Sequence, residues 1–203
     1  KDPIILSSQI INSLQTIISR EISPFQPAVV TVGSIHGGTK HNIIPNEVRL
    51  QLTIRSYTDE VRNKVMTAIR RISKGLAINA GIPESLHPEV ILKDEYTPAV
   101  YNDPTLTKLI ESSFIASLGA QNVLNVSPVM AGEDFGMYGR VEPVIPTSLF
   151  WLGSVDQAAY DQSLREGVML PSLHSSKFLP SPKRTIETGI TAMSSAINKL
   201  LQF

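Results

Sequence analysis

The sequence has 203 residues, of which 42% are hydrophobic, 18% charged and 6% aromatic. This composition indicates a soluble globular chain, long enough for one large domain or two small ones, and it excludes disorder as the main state. The 18 basic and 18 acidic residues cancel, so no global positive field would attract nucleic acid or an anionic membrane. We therefore predict no nucleic-acid partner and no membrane partner.

The composition also limits the available chemistry. No window approaches the ~18 consecutive apolar residues of a membrane span, and the residues at the start do not form the apolar region of a signal peptide. The absence of cysteine excludes a disulfide framework, a thiolate zinc site and a cysteine nucleophile. Any metal must be held by His, Asp or Glu.

The first part of the chain predicts the element order α, β, β, α, β over about residues 3 to 97. Apolar residues at helical spacing indicate a first helix, and Thr58 caps a second helix with a stripe from Val61 to Leu76. Strands are predicted at residues 28–32, 48–55 and 90–92, the second with strict apolar and polar alternation. A ferredoxin-like split β-α-β unit has one more strand in front, so we predict that its first strand is missing.

The second part carries fewer elements. Asn102 or Asp103 caps a helix that starts at Pro104 and ends at Gly119. A short strand near Val123 and a buried strand at residues 148–152 follow, and then an irregular stretch extends to Pro182. The last helix is predicted to pack through Ile186, Ile190, Met193, Ile197 and Leu200. Because two strands cannot complete a parallel sheet covered on both faces, we expect another segment to supply the rest.

Three loops carry clustered polar side chains. They are residues 33–45 with His36 and His41, residues 132–135 with adjacent carboxylates, and residues 172–178 with His174. No histidine pairs with another acid or histidine at a helical metal spacing, so no self-contained metal site is visible. From the pattern alone, each loop is compatible with a functional site, but also with an ordinary connection or a surface histidine.

Five segments together resemble the zinc-dependent aminoacylase and amidohydrolase family of metallopeptidases, the branch that includes hippurate hydrolases and hydrolases of indole-acetyl amino-acid conjugates. The resemblance covers nearly the whole chain, in the order and spacing of the family. The segments are residues 2–5, 27–33, 38–48, 131–135 and 173–178.

The resemblance implies an α/β catalytic domain with two metal ions, into which a ferredoxin-like lid and dimerisation domain is inserted. The expected fold class is thus α/β (α+β), with residues 1–97 as the incomplete lid and residues 98–203 as the C-terminal part of the catalytic domain. In the family, most metal ligands and the general-base glutamate precede the segment that begins at Lys1. We therefore expect a fragment that is inactive alone and possesses no complete metal site.

The resemblance also implies site residues. His174 resembles the metal ligand of the C-terminal part, for two zinc ions or ions of the manganese, cobalt or nickel type. Asn42, with His41 beside it, resembles the lid position that reaches the active site of the other subunit and hydrogen-bonds the substrate. Glu133 resembles a residue of the pocket wall. The expected partners are a second copy, bound through the lid, and a small N-acyl amino acid substrate.

Two alternatives stay open at this point. The chain could be a non-catalytic dimerising binding module, because an exposed strand edge invites pairing. It could also be a subunit that completes the site of a partner. The sequence does not fix the compartment, although a cytoplasmic location is favoured.

Overall fold

The computed structural model describes residues 1–93 and 96–201. The chain divides into two compact units. Unit 1 comprises Lys1–Val100 and Val129–Met137, and unit 2 comprises Tyr101–Pro128 and the chain from Tyr138 onward. Helices and an antiparallel hairpin make up the described elements, so the α+β class is confirmed. The assignment of residues 1–97 to a lid and 98–203 to a catalytic domain stays a prediction.

Unit 1 contains the two long helices that the sequence predicted, the second beginning after Thr58 as expected. Helix α1 (Pro3–Thr16) continues into a π-helical segment (Ile17–Glu21), and helix α2 spans Asp59–Asn79. The Asp2 carboxylate accepts a hydrogen bond from the Ile4 amide at 2.8 Å. The Thr58 hydroxyl accepts one from the Val61 amide at 3.3 Å. Both side chains satisfy amides that would otherwise lack partners, which fixes where each helix begins.

A two-stranded antiparallel hairpin packs against these helices. Strand β1 (Ala28–His36) pairs with β2 (Arg49–Ser56), from Ala28 opposite Ser56 to His36 opposite Arg49, with a bulge between Val32 and Ser34. Alternate residues of β2 are half-buried and exposed, as the sequence alternation predicted. The inward residues Leu50, Leu52 and Ile54 pack against the core.

The core of unit 1 forms where both helices meet the inner face of the hairpin. Leu14, Ile17 and Val65 are at most 1% exposed. Each Å² of apolar surface that this packing removes from water stabilises the folded state by roughly 25 cal/mol. The predicted strand at residues 90–92 is wrong, because these residues are not in a strand and the described sheet has only two strands. A strand requires a neighbouring backbone edge, and no described strand lies beside this segment.

Among its described residues, unit 2 contains three α-helices: α3 (Pro104–Leu118), α4 (Gln157–Glu166) and α5 (Pro182–Leu201). The predicted start of α3 is confirmed, because the Asp103 carboxylate accepts a hydrogen bond from the Leu106 amide at 2.8 Å. Helix α4 was not predicted. It buries no residue, and its capping residues, Asp156 and Gly167, are local signals that could have indicated it.

The strands predicted near Val123 and at residues 148–152 are also absent from the described structure. In residues 148–152, the Leu149 backbone pairs with the Asn102 side chain instead of with a neighbouring strand. The Asn102 amide group donates to the Leu149 carbonyl and accepts from the Leu149 amide, both at 2.8 Å. The apolar run had the composition of a strand, but no described strand lies beside it to form a ladder.

The predicted packing face of α5 is wrong. Ala192 and Ala196 are the residues that α5 buries, against Ile110 and Phe114 of α3. Small side chains let two helices approach closely, which explains why alanines occupy this face. The predicted apolar stripe is between 46% and 63% exposed, and its members are Ile186, Ile190, Met193, Ile197 and Leu200.

Candidate functional site

The predicted site residues lie on three loops, which we name by their chemistry. The amide loop (residues 37–48) carries His41 and Asn42, the acidic loop (residues 131–136) carries Glu133, and the histidine loop (residues 172–178) carries His174. The amide loop and the acidic loop belong to unit 1, whereas the histidine loop belongs to unit 2.

The amide loop joins β1 to β2 through a close backbone approach. A Cβ atom on Gly37 would lie 2.6 Å from the Val48 Cγ2 atom, and Gly38 has a φ of +77°. Both positions therefore favour glycine. His41 and Asn42 are exposed, and neither side chain has a hydrogen-bond partner among the described residues. The Asn42 amide is thus available to an external ligand.

The acidic loop is shaped by its own glutamate. Glu133 is exposed, and its Oε1 atom accepts a hydrogen bond from the Phe135 amide at 3.2 Å. This contact caps the short 3-10 helix Asp134–Arg140. In this conformation the Glu133 carboxylate stabilises the turn. A contact between this carboxylate and a ligand would be a second role.

Arg55 anchors the segment that leads into the acidic loop. Its Nη1 atom donates to the Met130 carbonyl at 2.9 Å. The alternation of residues 48–55 predicts only that Arg55 faces solvent, and it does not indicate this contact. No local signal could have revealed it, because the two residues are 75 positions apart.

The hairpin separates the anchors of the two loops in unit 1. The amide loop leads into β2 next to Arg49, whereas the acidic loop is anchored at Arg55, six residues further along. At ~3.3 Å per residue this spacing is about 20 Å. Among the described residues no hydrogen bond joins Asn42 or His41 to Glu133. The described contacts of one chain therefore do not bring these predicted residues together.

The histidine loop holds His174 in an unusual backbone conformation. His174 has a φ of +67° and is the one residue other than glycine with a positive φ in the described part of the chain. Two successive turns surround it, closed by hydrogen bonds from the Ser175 amide to the Ser172 carbonyl and from the Phe178 amide to the Ser175 carbonyl. Such strain costs on the order of 1 kcal/mol and is concentrated at functional sites.

An open cavity of about 430 Å³ lies beside the histidine loop. Lys177 and Phe178 from that loop contribute to its wall, together with Asp156 at the start of α4. The remaining lining is mostly apolar and includes Val155, Leu170, Leu179 and Pro180. The Asp156 carboxylate in this wall accepts a hydrogen bond from the Ala158 amide at 2.9 Å and caps α4.

The described residues do not complete a metal centre. No group of three or more His, Asp or Glu side chains within residues 1–93 and 96–201 is arranged to hold a metal ion. His174 can therefore supply one imidazole but not a whole site.

None of the helices described within residues 1–93 and 96–201 combines the length and the apolar character of a membrane span.

Comparison with known protein families identifies unit 1 by class. Residues 1–80 match the peptidase dimerisation domain of the M20 peptidases. This segment therefore belongs to that domain family, which agrees with the resemblance, and curated relatives that match more of the chain are named as deacetylases and a carboxypeptidase.

The relatives are hydrolases. An N-acetyldiaminopimelate deacetylase from Streptococcus thermophilus is 36% identical over 75% of this chain and 38% of its own length. The corresponding deacetylase of Bacillus pumilus is 31% identical over 98% of this chain and 46% of its own length. Thermostable carboxypeptidase 1 of Saccharolobus solfataricus is 34% identical over 87% of this chain and 40% of its own length. The chain thus spans less than half the length of these curated relatives.

Solved structures share the fold. A candidate aminohydrolase from methicillin-resistant Staphylococcus aureus has a TM-score of 0.68 and 25% identity, over 97% of this chain and 44% of its own. A Bacillus subtilis protein described as a dinuclear metal-binding M20 peptidase has a TM-score of 0.68 and 23% identity, over 98% of this chain and 46% of its own. The second likeness concerns the fold alone.

Proposed function

We propose that this chain is the C-terminal portion of a metal-dependent amidohydrolase that cleaves N-acyl amino acids or related amides. The relatives named as deacetylases and a carboxypeptidase support this reaction class, and they match up to 98% of the chain. The structural observation that carries the proposal is His174, an exposed imidazole on a strained residue between two turns. An accessible imidazole is a suitable ligand for a zinc-type ion.

The metal requires more ligands than the described residues provide. We propose that His174 supplies one ligand, and that the others and the general base belong to the part of the relatives that this chain does not span. Bound divalent ions, of zinc or of the manganese, cobalt or nickel type, would activate water and polarise an amide carbonyl. The chain alone should therefore not hydrolyse amides.

The unit 1 residues have a proposed role in binding the substrate. Asn42, with His41 beside it, would donate hydrogen bonds to the carbonyl or carboxylate of the substrate, a role suited to an exposed amide without a partner. Glu133 would line the pocket. As the family resemblance implies, we propose that Asn42 serves the site of the other protomer in a homodimer.

Substitution of His174 by alanine, in a form that carries the complete metal site, tests the metal role. We expect His174→Ala to lower bound metal and to remove most hydrolysis of an N-acetyl amino acid. His87→Ala is the matched control, because the His87 Nε2 atom lies 3.1 Å from the Ile82 carbonyl oxygen and has a structural contact. Asn42→Ala should slow turnover and keep the metal. Full metal content in His174→Ala would contradict the assignment.

A second candidate is a non-catalytic dimerising module, which the match of residues 1–80 to a dimerisation domain favours independently of any metal. Sedimentation of the chain at micromolar concentration should give a dimer under either proposal. A monomer at that concentration would contradict association through unit 1. Hydrolysis by the form with a complete metal site, abolished by His174→Ala, would decide against the module.

A further inference from the structure

We propose that Arg55 is a positioning residue that fixes the acidic loop to unit 1, so that the unit that presents Asn42 also presents Glu133. This inference rests on the proposed function for the role of Glu133 in substrate binding. The fixation itself rests on contacts within unit 1 and can be tested without metal or substrate.

The first attachment is the guanidinium of Arg55. Its Nη1 atom donates to the Met130 carbonyl at 2.9 Å, and the same atom lies 3.9 Å from the position that a Cβ atom on Gly132 would occupy. A hydrogen bond from a charged donor is roughly twice as strong as one between neutral groups. Arg55 therefore holds the loop immediately before Glu133.

The second attachment lies on the other side of Glu133. Gly136 is buried, and a Cβ atom there would lie 2.9 Å from the Ala99 carbonyl oxygen and 3.1 Å from that of Pro98. The loop thus packs backbone against backbone at a distance that only glycine allows. Between the two attachments, the Glu133 carboxylate caps the Phe135 amide.

These attachments explain how the chain is divided between the units. Residues 129–137 belong to unit 1, although the residues on both sides, Pro128 and Tyr138, belong to unit 2. The sequence neighbours of the loop therefore do not determine its place. The position of the loop is determined by its contacts with β2 and with the backbone at Pro98 and Ala99. These contacts therefore also determine the position of Glu133.

Arg49 offers a matched control on the same strand and the same exposed face. Its only described ionic contact is with Glu47, at 3.9 Å, and both side chains are more than 70% exposed. An ion pair of this kind contributes little. Replacement of Arg49 removes the same charge from the same strand without touching the acidic loop.

Hydrogen exchange of the Phe135 and Gly136 amides tests the proposal in the chain as it is. We expect Arg55→Gln to accelerate exchange about tenfold, which is the effect of losing one hydrogen bond with a charged partner. Arg55→Lys keeps a charged donor and should restore part of the protection, whereas Arg49→Gln should leave it unchanged. Circular dichroism would verify that each variant is folded.

A second pair of variants tests the glycine attachment. Gly136→Ala should also accelerate exchange in residues 131–136, because the added methyl group must displace the backbone at Ala99. Gly153→Ala is the control, because no atom lies within 4 Å of the added Cβ. Equal exchange in Arg55→Gln and Arg49→Gln, or no rescue by Arg55→Lys, would overturn the inference.

Kinetics distinguish this inference from the proposed function. In an active form of the enzyme, Arg55→Gln should raise KM in the same direction as Glu133→Gln, and the double variant should show less than the sum of the two effects. Faster loop exchange without any change in KM for either single variant would leave the attachment valid and remove Glu133 from the substrate site. Unchanged exchange would reject the attachment, whatever the kinetics.

Discussion

The two units differ in how they use helices of similar amphipathic character. In unit 1, α1 and α2 bury their apolar stripes against each other and the hairpin, and Leu14 and Val65 are almost inaccessible. In unit 2, the core formed by α3 and α5 is small, and α5 buries only Ala192 and Ala196. An apolar stripe becomes a core only where the chain supplies a second layer to cover it.

The uncovered face of α5 agrees with the proposal that unit 2 is part of a larger catalytic domain. Its large apolar side chains are about half exposed or more, and extended apolar surface of this kind marks an interaction site. The relatives have more than twice the matched length. We therefore propose that the remainder of such a domain covers this face.

The largest expected effect is in the core of unit 1. Leu14 is 1% exposed, so Leu14→Ala leaves a cavity and should lower the free energy of unfolding by about 2–5 kcal/mol. Urea denaturation followed by circular dichroism measures this change. A loss below 1 kcal/mol would mean that the core of unit 1 relaxes around the cavity, and the contrast with unit 2 would weaken.

The smallest expected effect is on the exposed face of α5. Ile190 is 63% exposed, so Ile190→Ala should change the free energy of unfolding of this chain by no more than about 0.5 kcal/mol. In a longer form that covers the face, the same substitution should cost about 2 kcal/mol or more. Equal costs in both forms, measured by the same denaturation, would contradict the proposal that another segment covers α5.

Local signals in the sequence were sufficient for the helices of unit 1 and for α3. Periodicity and capping residues such as Thr58 and Asp103 act within a few positions of each other, and the structure confirms both caps. The alternation of β2 was equally reliable, because its partner β1 is close in sequence. The family resemblance depended on short loop segments that could be read directly.

The sequence by itself thus determined the helices of unit 1 and α3, the caps at Thr58 and Asp103, the hairpin strands and the family resemblance, because each depends on neighbouring residues or on short segments compared residue by residue. Only the tertiary structure decided which apolar segments form strands, which face of α5 is buried and which unit carries the acidic loop. Residues 148–152 have the composition of a strand, but a strand forms only beside another backbone edge. Arg55 and Met130 meet across 75 positions, and only the folded chain brings such residues into contact.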